Sequence, residues 1–233
     1  MPLNNAETRR RLALFDLDHT LLPLDSDYEW GVFTTRIGWT DEREFGRRNQ
    51  EFYEHYQKGT LDVHDYVRFA TGAFRARGPE EAHDARARFM REVIEPAIRP
   101  QARELLKAHQ EAGDMVVIVT ATNEFVTRPI ARALGVDELI AVELVRDAGG
   151  WFTGDILGQP SMREGKVLRM DEWLARKGLS WDGVESTFYS DSFNDVPLLE
   201  RVDHPVATNP DARLRELAGQ RGWRVLDLFG EAS

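Results

Sequence analysis

Two aspartates, Asp16 and Asp18, stand one residue apart where the apolar run LALFDL (12–17) ends. Paired carboxylates can ligate a cation, attack an electrophile or transfer a proton. A single aspartate at a strand end is often only a helix cap. The functional interpretation of the pair therefore depends on the polar residues expected beside it.

Polar residues also follow the later strand-like runs. MVVIVT (115–120) ends in a threonine, with a second threonine, Thr122, as a competing candidate in the same turn. The run STFYS (186–190) is followed by DSFND. Because ligands bind at the carboxyl ends of strands in doubly wound sheets, these residues are expected to converge with the aspartate pair. The candidate set is Asp16, Asp18, Thr20, Thr120, Lys166, Asp191, Asn194 and Asp195.

The chemistry of this set indicates phosphoryl transfer. Clustered carboxylates repel one another, and Mg²⁺ is the cation best suited to them because it takes oxygen ligands and keeps positions for water and phosphate. Thr120, Lys166 and the N-terminus of a predicted helix over 123–134 would hold phosphate oxygens. One aspartate of the first pair would be the nucleophile, while the other handles the leaving-group proton.

The elements that must position these residues form an α/β pattern. Short apolar runs without clear alternation recur at 12–17, 115–120, 186–190, 204–208 and 223–228, with helical patterns between them. Such runs are typical of strands covered on both faces, so we predict a Rossmann-like, doubly wound parallel sheet. The segment 144–158, with a Gly-Gly pair between strand-like stretches, predicts a β-hairpin.

A long helical insertion interrupts this pattern. Residues 26–95 have helical periodicity in four segments and no strand signal. We therefore predict that residues 1–24 and 96–233 form the core, and that residues 25–95 form an all-helical cap domain. The boundary back to the core is expected at the prolines of 95–100.

Composition limits the class of partner. The 233 residues carry a formal charge of −10, which disfavours nucleic acid and anionic membranes and favours a small phosphorylated metabolite. No apolar run approaches membrane-spanning length, and the polar N-terminus lacks a secretory signal. The absence of cysteine excludes thiolate chemistry and fits a reducing compartment, so we expect a cytoplasmic protein. The sequence leaves the oligomeric state open.

Four motifs carry a family resemblance. FDLDHTLL (15–22), VVIVTAT (116–122), Lys166 and YSDSFNDVPLLE (189–200) resemble the motifs of the haloacid dehalogenase superfamily, in order. The resemblance is to its phosphatases, because dehalogenases lack the second aspartate of the first motif. The position of the insertion is similar to that in the branch containing phosphoserine phosphatase (subfamily IB, with a C1-type cap).

This resemblance implies a role for each core residue. Asp16 would be the nucleophile and a Mg²⁺ ligand, Asp18 the general acid/base and a ligand through its carbonyl, and Asp191 the third protein ligand. Thr120 and Lys166 would bind the phosphoryl group. The supporting residues would be Thr20, Asn194 and Asp195, the last orienting Lys166 or metal-bound water.

Substrate choice is expected to depend on the cap. Phosphoserine phosphatases use a cap acidic residue and a cap arginine to bind the amino acid. Asp25, with Asp27 and Glu29 nearby, is the candidate for the first, and Arg68 is the candidate for the second. The sequence around both departs from that pattern, so histidinol phosphate is as plausible as phosphoserine. We predict a Mg²⁺-dependent phosphomonoesterase for a small amine-bearing metabolite. The alternatives are a phosphotransferase with an alcohol acceptor and a non-catalytic phospho-ligand binding protein.

Overall fold

The structure is a computed structural model that describes residues 9–58 and 60–230. Its centre is a six-stranded, all-parallel sheet, which confirms the predicted fold class; its strands lie in the order 138–142, 115–123, 10–15, 184–190, 204–208 and 224–226. The outermost residues of the predicted core, 1–8 and 231–233, lie outside the described residues. The strands are β1 (Arg10–Phe15), β2 (Met115–Asn123), β3 (Glu138–Val142), β4 (Leu144–Arg146), β5 (Phe152–Ile156), β6 (Val184–Ser190), β7 (His204–Thr208) and β8 (Arg224–Leu226).

Alternate residues of β1 face opposite sides of the sheet, and both sides are covered. Leu12 and Leu14 belong to one buried apolar cluster, and Ala13 and Phe15 belong to the other. Because both faces are buried from solvent, every position of the strand favours an apolar side chain. This explains the continuous apolar run. Asp16 is the first polar side chain after β1, and it therefore lies at the edge of the sheet.

Helices cover both faces of the sheet and fill the stretch between β1 and β2, where the described residues contain no strand. Asp25 and Asp62 cap the helices that begin at Ser26 and Val63 by accepting backbone N–H groups. A π-helical turn over Met90–Ile94 joins the helices Pro79–Phe89 and Glu95–Ala97. The helices are α1 (Ser26–Arg36), α2 (Glu42–Lys58), α3 (Val63–Arg77), α4 (Pro79–Phe89), α5 (Glu95–Ala97), α6 (Pro100–Glu111), α7 (Glu124–Ala133), α8 (Glu164–Arg176), α9 (Val196–Leu199) and α10 (Ala212–Arg221). Among the residues that the structure describes, no helix is long and apolar enough to cross a membrane.

Two details differ from the sequence prediction. The strand β3 was not predicted, although it pairs in parallel with β2 from Val117↔Glu138 onward. Its run is only five residues long and lies just before the hairpin, so the local pattern gave no separate signal. In addition, the chain stays helical through the expected break at 95–100 as far as Ala97, because Pro96 lies in the first turn of a helix, where its missing N–H costs no hydrogen bond.

The predicted hairpin is present as β4 and β5, and it anchors the helical insertion. Arg75 of α3 donates hydrogen bonds to the Thr153 carbonyl (2.5 Å) and to the Thr71 hydroxyl (3.0 Å). The Trp151 indole N–H donates in return to the Arg75 carbonyl (3.2 Å). Phe74 stacks on Phe125 of α7 at 4.0 Å between ring centroids. The contacts with Thr153, Trp151 and Phe125 hold α3 against the core.

The start of α8 is packed so tightly that it requires glycine. A Cβ at Gly165 would lie 2.0 Å from the Pro160 carbonyl oxygen, so Gly165→Ala must displace backbone. We expect this variant to lose about 1–3 kcal/mol of unfolding free energy, measured by chemical denaturation. Gly72→Ala is the matched control, because no atom lies within 4 Å of its added Cβ, and it should gain up to about 1 kcal/mol. Equal stability of the two variants would contradict this packing.

Candidate active site

Three neighbouring strands deliver polar residues to one pocket. The backbone N–H of Asp16 donates to the Tyr189 carbonyl (2.9 Å), which carries the β1–β6 pairing one residue past the end of β1. Thr120 comes from β2 and Asp191 follows β6, and β1 lies between those two strands. One pocket of about 1680 Å³ is lined by Asp16, Asp18, Thr120, Lys166, Asp191, Asn194 and Asp195. The predicted convergence of these residues is therefore present in the structure.

Lys166 bridges two of the carboxylates. Its Nζ lies 2.7 Å from Asp16 Oδ1 and 2.6 Å from Asp195 Oδ2, and the residue is only 2% exposed. Burial by itself lowers the pKa of Lys166, but the charges of Asp16 and Asp195 outweigh burial and raise it. The ammonium group therefore stays charged. The Ser190 hydroxyl also donates to Asp195 Oδ2 (2.7 Å), so Asp195 is held in place beside Lys166.

Asp18 is held by a helix start and a threonine. The backbone N–H of Ser26 donates to Asp18 Oδ1 (2.8 Å), and the Thr122 hydroxyl donates to Oδ2 (2.9 Å). Burial and the nearby charge of Asp25 raise the pKa of Asp18 well above its usual value, despite these hydrogen bonds. A carboxyl group with a raised pKa can carry the proton that a general acid delivers.

Asp191 shares a reciprocal pair of hydrogen bonds with Thr20. The Thr20 hydroxyl donates to Asp191 Oδ1 (3.1 Å) and accepts from the Asp191 backbone N–H (3.0 Å). Burial, Asp16 and Asp195 together raise the pKa of Asp191. Three carboxylates around a single ammonium group leave the site short of positive charge, which is what a bound cation would supply.

The donor set fits Mg²⁺ rather than a metal held entirely by side chains. Within residues 9–58 and 60–230, no group of three or more Asp, Glu, His or Cys residues is arranged to hold a metal ion. Asp16 and Asp191 offer carboxylate oxygens, and backbone carbonyls, water and substrate phosphate would fill the other positions. Mg²⁺ commonly binds in this way, through one or two carboxylates.

The two competing threonines have different contacts. Thr122 is engaged with Asp18, whereas the Thr120 hydroxyl accepts the Thr122 backbone N–H (3.1 Å). The Thr120 carbonyl accepts a hydrogen bond from the Ser161 hydroxyl (2.6 Å). Within the described part of the chain the Thr120 hydroxyl donates to no acceptor, so Thr120 has the freer donor for a bound phosphate, close to the N-terminus of α7.

The two cap candidates are in different places. Asp25 lines the pocket while it caps α1. Arg68 does not line it: its guanidinium pairs with Asp155 of β5 (3.1 Å) and Asp65 (3.2 Å) on the exposed surface. The structure therefore does not bring Arg68 to the pocket, where the sequence prediction placed it. α3 turns this side chain toward the hairpin, whose acidic residue lies far away in sequence.

Two further residues shape the site, and the sequence indicated the first of them only as a neighbour of Asp25. Asp27 lines the pocket and accepts hydrogen bonds from Tyr66 (2.6 Å) and Asn123 (3.1 Å). Asp27 belongs to an acidic stretch that pointed to this region, but the sequence held no signal for its partners. Ser190 was likewise missed, because a serine at a strand end has many ordinary roles.

The protein belongs to the haloacid dehalogenase-like hydrolases, whose family profile matches residues 13–200. It is a phosphatase of this family. Over 220 residues it is 40% identical to a histidinol-phosphatase of Neisseria meningitidis, covering 94% of this chain and 99% of the relative. It is also 33% identical to the phosphoserine phosphatase SerB1 of Mycobacterium tuberculosis, covering 93% of this chain and 70% of the relative.

Solved structures share the fold. A Bordetella pertussis protein of unknown function superposes with a TM-score of 0.90 at 51% identity, covering 95% of this chain and all of the other. A phosphoserine phosphatase carrying a phospho-aspartyl intermediate analogue superposes with a TM-score of 0.64 at 18% identity, covering 94% of this chain and 93% of the other. At that identity, the second likeness concerns the fold alone.

Removing the bridging ammonium group should destabilise the fold. Lys166→Met leaves Asp16 and Asp195 buried without their cation, so we expect a loss of about 3–5 kcal/mol in unfolding free energy at neutral pH. Burial raises the folded-state pKa of Asp195, and the charge of Lys166 lowers it. Because this variant lacks that charge, the pKa of Asp195 should lie further above its unfolded value. The deficit should therefore be smallest at acidic pH and grow as the pH rises through the raised value.

The matched control is the double variant Lys166→Met/Asp195→Asn. It removes one of the two unpaired carboxylates, so it should recover part of the lost stability at neutral pH. Denaturant titrations of both variants at several pH values measure these differences. A single variant as stable as the wild type at neutral pH would contradict the charge balance described for this site.

Proposed function

We propose that the protein is a Mg²⁺-dependent phosphomonoesterase that forms an aspartyl-phosphate on Asp16. The observation that carries this proposal is the buried bridge of Lys166 between Asp16 and Asp195 at the base of an open pocket. Lys166 uses two of its donors on carboxylates, and its position beside Asp16 lets its charge stabilise phosphate oxygens during transfer.

Mg²⁺ would be held by Asp16, Asp191 and the Asp18 carbonyl. Bound there, it would neutralise charge on the phosphoryl oxygens. The nucleophilic attack and the orientation of the phosphoryl group would depend on side chains of the protein. Asp16 attacks phosphorus, Thr120 and Lys166 orient the phosphoryl group, and Asp195 keeps Lys166 in place.

Asp18 would move the proton in both half-reactions. With its pKa raised by burial and by Asp25, its carboxyl group can protonate the departing alcohol oxygen. Once ionised, the same group can take a proton from the water that hydrolyses the aspartyl-phosphate. Ser26 and Thr122 fix its two oxygens, so the acid stays oriented through both steps.

The leaving group is proposed to be cationic. The wall that the insertion contributes to the pocket is rich in carboxylates, and its cation Arg36 is already paired with Glu92 (2.7 Å). Aromatic side chains add apolar surface to the same wall. The acidic residues are Asp25, Asp27, Glu29, Asp41 and Glu42, and the aromatic residues are Tyr28, Phe45, Phe52, Tyr53 and Tyr66.

An amino-alcohol phosphate fits this wall better than an amino-acid phosphate. A substrate carboxylate would face the acidic side chains without Arg68, which is engaged at the surface with Asp155. An ammonium group and a flat ring would be favoured by the same surroundings. The histidinol-phosphatase of Neisseria meningitidis, 40% identical, supports the same choice by its name.

A phosphomonoester panel tests the activity. With Mg²⁺ present, we expect hydrolysis of histidinol phosphate at higher kcat/KM than of phosphoserine, and loss of turnover when the metal is chelated. Asp16→Asn should abolish turnover while the protein remains folded by circular dichroism, because an amide cannot attack phosphorus. Acid quenching of the wild type should trap a phosphorylated enzyme that the variant lacks.

Asp65→Asn is the control, since it makes the same chemical change on α3 outside the pocket. Substantial turnover by Asp16→Asn would remove this residue from the nucleophile role. Product analysis with added alcohols separates transfer to water from transfer to an alcohol acceptor. Phosphorylated alcohol as the main product would favour the phosphotransferase alternative.

A further inference from the structure

The turn that leads into α8 has an arginine where glycine is the usual residue. Arg163 has a φ of 53° and a ψ of −126°, and the Met162 carbonyl accepts the Gly165 backbone N–H (2.9 Å). These features define a type II′ turn with Arg163 at its first central position, where the positive φ favours glycine. The backbone of an arginine is strained in this conformation, because its Cβ crowds the neighbouring peptide groups.

The residue type makes this strain unusual. Among the described residues, the non-glycine residues with positive φ are His19, Arg163 and Asn209. Histidine and asparagine adopt positive φ more often than most residues do, whereas arginine has no such tendency. A turn that needed only its shape would be more stable with glycine. Strain that is kept in this way occurs mainly at functional sites, so the position of the arginine side chain is informative.

The backbone on both sides of Arg163 is fixed by contacts. Before it, the Ser161 hydroxyl donates to the Thr120 carbonyl (2.6 Å). After it, the Lys166 backbone N–H donates to the Arg163 carbonyl (3.0 Å), which starts α8. The close packing at Gly165 leaves this segment little room to shift. The surrounding structure therefore imposes the strained conformation on Arg163.

These contacts also place Arg163 between the residues proposed to hold the phosphoryl group. Ser161 lies against Thr120, and Lys166 lies 2.7 Å from the proposed nucleophile Asp16. Arg163 is half-buried, and it lines the same pocket as Asp16, Thr120 and Lys166. The turn therefore adds an arginine to the part of the pocket wall where the phosphoryl transfer is proposed.

A guanidinium group complements what Thr120 and Lys166 supply. Lys166 shares its charge between two carboxylates, and Thr120 offers a single hydroxyl proton. A guanidinium group stays charged, and its planar shape allows it to donate two parallel hydrogen bonds to two oxygens of one phosphoryl group. The proposed leaving group is cationic, so the phosphoryl group is the part of the substrate that an arginine would attract.

From this geometry we propose that Arg163, held in its strained turn, binds two oxygens of the phosphoryl group and retains inorganic phosphate after hydrolysis. The proposal rests on the phosphatase function proposed above, because it places the phosphoryl group between Thr120 and Lys166. Arg163 is then a third phosphate-binding residue beside those two. The strain is tolerated because the turn brings the guanidinium group to the phosphate.

Two substitutions separate the side chain from the strain. Arg163→Ala removes the guanidinium group but leaves a residue that is strained at this φ, whereas Arg163→Gly removes both. The glycine variant should therefore melt about 2–4 °C above the alanine variant. Both variants should bind inorganic phosphate at least about tenfold more weakly than the wild type in the presence of Mg²⁺, measured by isothermal titration calorimetry.

Steady-state kinetics give a second readout, with the ester that the wild type hydrolyses best. In both variants, KM and the inhibition constant of inorganic phosphate should rise by a similar factor, because substrate and product share the phosphoryl group. Arg163→Lys should recover part of the loss, since it restores the charge without the planar pair of donors. Arg176→Ala is the control, because it removes an exposed arginine from the other end of α8, outside the pocket.

The outcomes separate this inference from the proposed function. If the wild type neither hydrolyses phosphomonoesters nor binds inorganic phosphate, both fail. If the wild type hydrolyses them while the alanine and glycine variants keep its phosphate affinity and its KM, the role of Arg163 is overturned and the phosphatase stands. Recovery of phosphate affinity by Arg163→Gly would assign the effect to the backbone and would also overturn this role. Arg163→Gly, which fits the turn, decides the test where Arg163→Ala does not fold.

Discussion

The structure depends on one ammonium group that partly neutralises the charge of several buried carboxylates. Lys166 lies between Asp16 and Asp195, and Asp191 adds a third carboxyl group to the same end of the sheet. Buried like charges cost stability unless counter-charges neutralise them. One lysine does this in part, and the remaining negative charge is what prepares the site for a cation and for a phosphate that arrives with it.

The same constraint explains the packing around the site. Lys166 lies in the first turn of α8, and the start of this helix packs closely against the preceding segment of the chain. At Gly165 this segment leaves no room for a Cβ. Ser190 and Thr20 each donate to a carboxylate of the cluster. Small residues and hydroxyl groups are therefore placed where larger or apolar ones would break the charge arrangement.

The helical insertion is joined to this chemistry at its first turn. α1 begins with its Ser26 N–H bonded to Asp18, while the far side of the insertion is anchored by Arg75 and the hairpin. The residues that form the pocket wall and the residue proposed as acid thus share one helix start. The start of α1 therefore connects the pocket wall to the carboxylate of Asp18.

The sequence by itself determined the parallel α/β core and the convergence of the main site residues, because polar residues that end buried strands must meet at one sheet edge. It did not reveal β3, whose short run is stabilised by pairing with β2. Only the tertiary structure decided that Arg68 pairs with Asp155 and that Asp27 meets Tyr66 and Asn123. These contacts join segments far apart in the chain, and the direction in which a helix turns its side chains is set by packing, which local pattern does not encode.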